Sequence, residues 1–308
     1  MSDFTSAKTS HRHGVISVLV ALPFVSLTGL FGKFLTLSPL LIVQGRTVFA
    51  FGAVLLALFC LRKKIVFSDL REWLWLALSG SILGVHWIAF FQAIQVSTVA
   101  IGLLSFASYP LFTTLLEPLF FREPLRVRNV FAALIVICGL ALMASSSSDD
   151  SNTIISGSVF HGILWGLMAG FGFAVLTLLN RGHVRKHSAL LITCWQNGFA
   201  ALLILPWSLS ESWILSGKEL GLLFLLGVVC TVGGHTLLIN GLRHVRAQVA
   251  SLLIAGLEPV FAILFALFLL EEIPSLQTLL GGVLIISTTV FIIYGTEQKE
   301  IPEQAVSK

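Results

Sequence analysis

Four side chains able to carry charge or a proton stand inside stretches that are otherwise apolar: Arg46, His86, His235 and Glu258. Polar groups at such depth are expensive in a membrane, so they face a bundle interior or water and pair there. Arg46 lies in Gln44-Gly45-Arg46-Thr47. A guanidinium forks bidentately onto a carboxylate or phosphate, so one reading makes Arg46 a fixed cation for an anionic group on a substrate. The other reading is structural, a long cation snorkelling to the outer headgroups or bonding exposed helix carbonyls.

His86 and His235 each come just after glycine, at Gly84 and at Gly233-Gly234. They could line a cavity and titrate near neutral pH, or tie helices together as buried hydrogen-bonding groups. Asn240 is a weaker candidate for the same wall. Glu258-Pro259 is mid-stretch, whereas Glu117-Pro118 stands nearer an end. A carboxylate out of water can take and release a proton during a cycle, which makes Glu258 a proton-coupling candidate; its structural alternative is a partner for a nearby Arg or His. Trp87, Phe90, Tyr109, Trp165 and Trp195 lie deep enough to line an amphipathic cavity, although each alone is more often a packing residue than a ligand. Phe90 follows His86 by four positions, on the same helix face. No third ligand accompanies the histidines at helical spacing, so no metal is expected.

These residues belong to two copies of one pattern. Gly84, His86, Leu103, Leu104, Pro110 and Glu123 return 149 positions later as Gly233, His235, Leu252, Leu253, Pro259 and Glu272. Ser38, Leu40, Leu41, Ile42, Phe49 and Ala50 return after 150 as Ser188, Leu190, Leu191, Ile192, Phe199 and Ala200. Gln196 stands where the second copy would repeat Arg46. Matching prolines, Pro110 and Pro259, each remove a helix hydrogen bond and are expected to break or bend their helices near a central site.

The elements that position them are membrane helices. Hydrophobic residues make up 56% and charged residues 11% of the 308, and mean hydropathy is +0.95, far from the roughly 25% charged of a soluble domain. A bilayer crossing needs about 20 apolar residues. That ruler marks ten spans: 14–35, 40–61, 72–94, 97–120, 128–144, 158–180, 188–208, 219–241, 247–270 and 276–295. The polar stretch 145–157 separates the copies, 14–144 and 158–295. Backbone in lipid must satisfy itself, so the spans are helices and the protein is all-α. Five spans per copy turn the second copy upside down, which gives two inverted repeats. The first run is too long for a signal core, so no cleavable leader is expected. Cys60, Cys138, Cys194 and Cys230 show no CxxC spacing and read as packing residues.

With the N-terminus inside, 16 of the 19 Lys and Arg fall on cytoplasmic segments. Such a bias sets orientation, so both termini are expected in the cytoplasm of a bacterial inner membrane. Glu123-Pro124 and Glu272-Ile273-Pro274 suit the start of the following helix as caps. Trp73, Trp75, Trp207 and Trp213 suit the membrane interfaces. No basic patch points to nucleic acid, and no phosphate loop, serine elbow or zinc motif points to catalysis.

The segments LLSFASYPLFTTLLEPLFFREPL (103–125) and LLIAGLEPVFAILFALFLLEEIP (252–274), each followed by a small-residue apolar helix, resemble the EamA type of the drug/metabolite transporter superfamily. The resemblance covers about residues 14–295. It implies a ten-helix carrier with helices 1–4 and 6–9 around a central cavity and helices 5 and 10 outside. Many such carriers are exporters, and the family often places an Arg at the position of Arg46. Secondary transport of a small metabolite, an amino acid or related carboxylate moved outward without cofactor, is therefore the expected function. A lipid flippase or membrane enzyme acting on a phosphorylated head group is the alternative. Spans five and ten offer small-residue faces to a second copy.

Overall fold

The computed structural model describes residues 2–63, 65–66, 69–121, 157–184, 186–245 and 247–297, with isolated positions between 131 and 142. All regular structure among the described residues is helical. The first half supplies α1 (Ser2–Phe34), α2 (Pro39–Cys60), α3 (Leu70–Val96), α4 (Val99–Phe106) and α5 (Tyr109–Phe121). The second supplies α6 (Gly157–His183), α7 (Ala189–Ser208), α8 (Gly217–Leu225), a π-helix π1 (Leu226–His235), α9 (Thr236–Gly241), α10 (Ala247–Leu270) and α11 (Leu276–Glu297). Seven helical stretches are long and apolar enough to cross a bilayer, and Leu253–Leu269 and Leu276–Thr288 are shorter apolar helices. The chain is thus an integral membrane protein. Most of span five, the 145–156 linker, Glu123-Pro124 and the side chain of Glu117 lie outside the described residues.

Local chemistry fixes where helices begin. Ser38 Oγ accepts the Leu41 N–H and Ser188 Oγ accepts the Leu191 N–H, so two caps related by the 150-residue echo do the same work. Pro39 sits at the first turn of α2, where its missing N–H is harmless. At α8, Ser216 and Glu219 form a reciprocal capping box.

The two halves interleave: α3 packs on α6 and α7, α2 on α7 and π1, and α1 on π1 and α10. Glycine permits the tightest crossings. A Cβ on Gly80 of α3 would lie 2.7 Å from the Gln196 carbonyl oxygen of α7, and one on Gly227 of π1 would lie 2.8 Å from the Arg46 carbonyl oxygen of α2. Arg46 and Gln196 are echo mates, so the two glycines play equivalent parts. Six positions separate Gly80 from His86, yet eight separate Gly227 from His235. The surplus of two is taken up in π1, whose i→i+5 bonding winds more residues into each turn.

Two expectations are modified. Span four does break, with a turn at Ala107-Ser108 and Pro110 in the first turn of α5, but α10 runs unbroken through Pro259. A membrane helix tolerates one missing bond where its neighbours re-satisfy the carbonyl. Glu272, expected to cap the helix that follows it, instead accepts the Val99 N–H at the start of α4 at 2.9 Å. Ser275 caps α11 in its place, accepting the Thr278 N–H. Glu272 also lies 3.9 Å from Lys33 Nζ, which donates to the Ser97 carbonyl.

Candidate functional site

A cavity forms where α1, α2, α3, α4, α6, π1, α9 and α10 converge, lined by Val25, Thr28, Arg46, His86, Trp87, Phe90, Phe106, Phe173, Cys230, His235, Leu238 and Glu258. Its volume is about 50 Å³. Both halves contribute, and of the residues singled out from sequence it gathers Arg46, His86, Trp87, Phe90, His235 and Glu258.

Arg46 is 2% exposed and is held from three sides. Its Nε–H and Nη2–H both donate to Thr231 Oγ1, at 3.1 and 2.9 Å. Its guanidinium carbon stands 3.7 Å over the Trp87 ring and 5.5 Å from the Phe91 ring centroid, an arrangement in which ring quadrupoles attract a cation. Among the described residues Nη1 has no hydrogen-bond partner. Snorkelling is therefore not what Arg46 does: its head is buried and its fork is half used.

Thr231 can accept both N–H groups because its own hydroxyl donates to the Leu226 carbonyl, five residues back along π1. Glu258 is also 2% exposed, and no hydrogen bond or ion pair reaches it among the described residues. The site thus presents one unspent cationic fork and one unpartnered carboxyl to a shared space.

The histidines are anchored differently. His86 Nδ1–H donates to the Ala169 carbonyl at 2.8 Å, which fixes the tautomer and leaves Nε2 as an acceptor. Its ring sits among Phe106, Phe173 and Phe90, at 5.6, 5.3 and 6.4 Å between centroids. His235 meets the Trp87 ring at 5.8 Å, and its Nε2 lies 3.4 Å from Gln196 Oε1. Gln196 in turn donates to Ser79 Oγ and Asn180 Oδ1. Arg46 on α2 therefore bonds into the second half at Thr231, and its mate Gln196 on α7 bonds into the first half at Ser79.

The remaining candidates sit elsewhere. Tyr109 is fully buried behind the cavity wall, stacked on Phe106 at 5.2 Å and edge-on to Phe173 at 4.8 Å. Trp165 and Asn240 are half-buried and outside the lining. Trp195 donates to the Ile65 carbonyl and packs on Trp73 at 4.5 Å, and it is not part of the cavity lining. Reasoning from sequence missed Thr231, which positions Arg46, and the lining residues Thr28, Phe106, Phe173 and Cys230. Threonine and phenylalanine inside an apolar helix carry no mark of their own, and Thr231 has Ile82 at its echo position.

The chain has relatives in sequence and in fold. The model of the EamA-like transporter family matches residues 12–145 and again 160–294. An uncharacterized transporter of Archaeoglobus fulgidus is 28% identical over 280 residues, 90% of this chain and 94% of that protein. YwfM, an uncharacterized transporter of Bacillus subtilis, is 27% identical over 261 residues, 81% of this chain and 84% of its own. A Rickettsia prowazekii protein named as an S-adenosylmethionine uptake transporter is 31% identical over 208 residues, 67% of this chain and 66% of that protein. A crystal structure at 17% identity has the same fold, with a TM-score of 0.63 over 92% of this chain and 95% of its own.

Proposed function

The chain belongs to the EamA-like transporter family, and from that premise we propose a secondary carrier that moves a small metabolite by alternating access. The reading rests on one observation: a buried cation, a buried carboxyl and two histidines meet in a cavity built by both halves. Ten helices in two inverted five-helix repeats, with both termini cytoplasmic in a bacterial inner membrane, are the proposed frame. Ser38 and Ser188 capping alike supports it, as do Arg46 and Gln196 reaching into opposite halves.

Arg46 holds an anionic group of the substrate through Nη1. Glu258 is the proton-coupling group, and His86 and His235 complete the polar wall. With a volume of about 50 Å³, the cavity takes a few waters, each needing at least about 10–15 Å³. A metabolite site spans about 300–1,000 Å³, so the walls must part to admit one and close again around it. The load is an amino acid or related carboxylate moved outward, and no enzyme activity accompanies it. Relatives named for S-adenosylmethionine uptake support a small-molecule load and the opposite direction, so flux must be scored both ways.

Purified protein in vesicles preloaded with unlabelled amino acids should accumulate labelled solute by counterflow. Scrambling of labelled lipid without counterflow would replace the carrier by a flippase.

A further inference from the structure

We propose that an anionic phospholipid docks where the start of α3 meets the end of α6, with its phosphodiester among basic side chains of both halves. The inference needs only that the chain sits in a membrane and stands apart from the carrier reading. Another cavity opens at this junction, with a volume of about 670 Å³, inside the range of about 300–1,000 Å³ for small-molecule pockets. Its lining is part apolar, from Trp75 of α3 and Leu178 and Leu179 of α6, and part charged.

The charges do not cancel. Arg71, Arg181 and Lys186 stand against Asp69 and Glu72, which leaves a surplus of one positive charge. Glu72 is already engaged: Lys186 Nζ lies 3.4 Å from its Oε1, and His187 and His183 Nε2 lie 3.3 and 3.8 Å from its Oε2. Asp69 caps α3, accepting the Arg71 N–H at 3.0 Å. The Arg71 side chain is exposed and enters no hydrogen bond or ion pair among the described residues. A guanidinium in that condition suits a phosphodiester, whose two oxygens match its fork. The surroundings decide what the phosphodiester is attached to. Trp75 is 38% exposed, and Leu74 and Leu78 of the same helix are 63% and 47% exposed, all within the bilayer-length stretch Leu70–Val96. A tryptophan there suits the headgroup level of a membrane, and the leucines beyond it offer acyl chains an apolar path. Basic pockets between membrane helices on the cytoplasmic side hold acidic headgroups in this way, and the proposed orientation turns this cavity to the cytoplasmic leaflet. Arg71 belongs to the first half and Arg181 to the second, so one headgroup bridges the halves and favours the arrangement that keeps these two ends together.

Thermal melts of the purified full-length protein in detergent, titrated with lipid, read the site. Dioleoylphosphatidylglycerol and dioleoylphosphatidylcholine share chains and phosphodiester, and only the first carries a net negative charge. Half-maximal stabilisation should need at least about tenfold less phosphatidylglycerol than phosphatidylcholine, a gap of about 1.4 kcal/mol. Added salt should narrow the gap, as screening of exposed charge requires. Arg71→Gln should cut the preference to about threefold or less and leave the melting temperature without lipid unchanged, because the side chain has no partner to lose. Arg181→Gln should cut it likewise, so either variant carries the test if the other fails to fold. Glycerophosphoglycerol, the headgroup without chains, should not stabilise the protein at the same concentrations. Equal stabilisation by the two lipids overturns the proposal, as does a preference that survives both substitutions. Stabilisation by glycerophosphoglycerol equal to that by the lipid overturns it too, in favour of a soluble phosphate ester.

Discussion

Arg46→Lys separates the role of charge from the role of shape. The charge, and with it the burial penalty of about 2.5–3.5 kcal/mol on insertion scales, is unchanged. What changes is the fork. Arg46 spends two N–H groups on Thr231 and, among the described residues, leaves Nη1 without a partner, whereas a lysine ammonium gathers its three donors on one nitrogen, which cannot stand both in the place facing Thr231 and in the place of Nη1. A hydrogen bond to a charged group contributes about 1.5–3 kcal/mol. If the ammonium stays on Thr231, the substrate carboxylate loses one such bond, and its dissociation constant rises about 10- to 150-fold at 1.4 kcal/mol per decade. Folding should change far less, because the lost N–H shared its acceptor with another. Counterflow of labelled amino acids over a range of concentrations measures the first quantity and the melting temperature the second. Unchanged affinity in the Lys variant would show that Arg46 is scaffold, and the anion-binding argument would go with it. A large fall in melting temperature with no change in affinity would say the same.

Three other outcomes are expected. In a protein freed of its native cysteines, a cysteine at Ile214 should label from outside only and one at Lys186 from the cytoplasm only; the reverse pattern would invalidate the orientation. Gly227→Val sets side-chain carbon 2.7 Å from Phe49 Cβ, an overpacking worth about 1–3 kcal/mol or more, so the yield of folded protein should fall, while Gly52→Ala, with nothing within 4 Å, should be tolerated. Glu272→Ala removes the acceptor of the Val99 N–H and should lower stability by about 1 kcal/mol in thermal melts, as loss of a helix cap does.

Much of the site was legible because charge inside an apolar run is conspicuous. Arg46, His86, His235 and Glu258 stand out by type alone, and the echo tied the histidines to one wall before any contact was known. The limits were equally physical. Thr231 does the holding, yet threonine is ordinary in a membrane helix and its echo position is Ile82. Phe106 and Phe173 are two of 24 phenylalanines, and only packing distinguishes a wall from a core. Pro259 looked like a break because proline removes a bond, but the bilayer penalises an open helix more than a bent one. Glu272 was recognised as a cap and assigned to the wrong helix, since reach through space is invisible along the chain.

The surplus in π1 bears on energetics at large scale. Two identical halves exchanging conformations would give two end states of equal free energy, each half populated, as in a coin with identical faces. Two additional residues between Gly227 and His235, with no counterpart between Gly80 and His86, remove that degeneracy under the inverted arrangement proposed above. When the halves trade roles, the wide turn stays in the second half, so the forward and reverse states are built from different helices. A difference of only about 1.4 kcal/mol makes one state ten times more populated than the other. The side on which the empty protein rests then depends on this local winding together with side-chain differences such as Arg46 against Gln196, and shortening π1 by two residues would remove the winding's share of the imbalance.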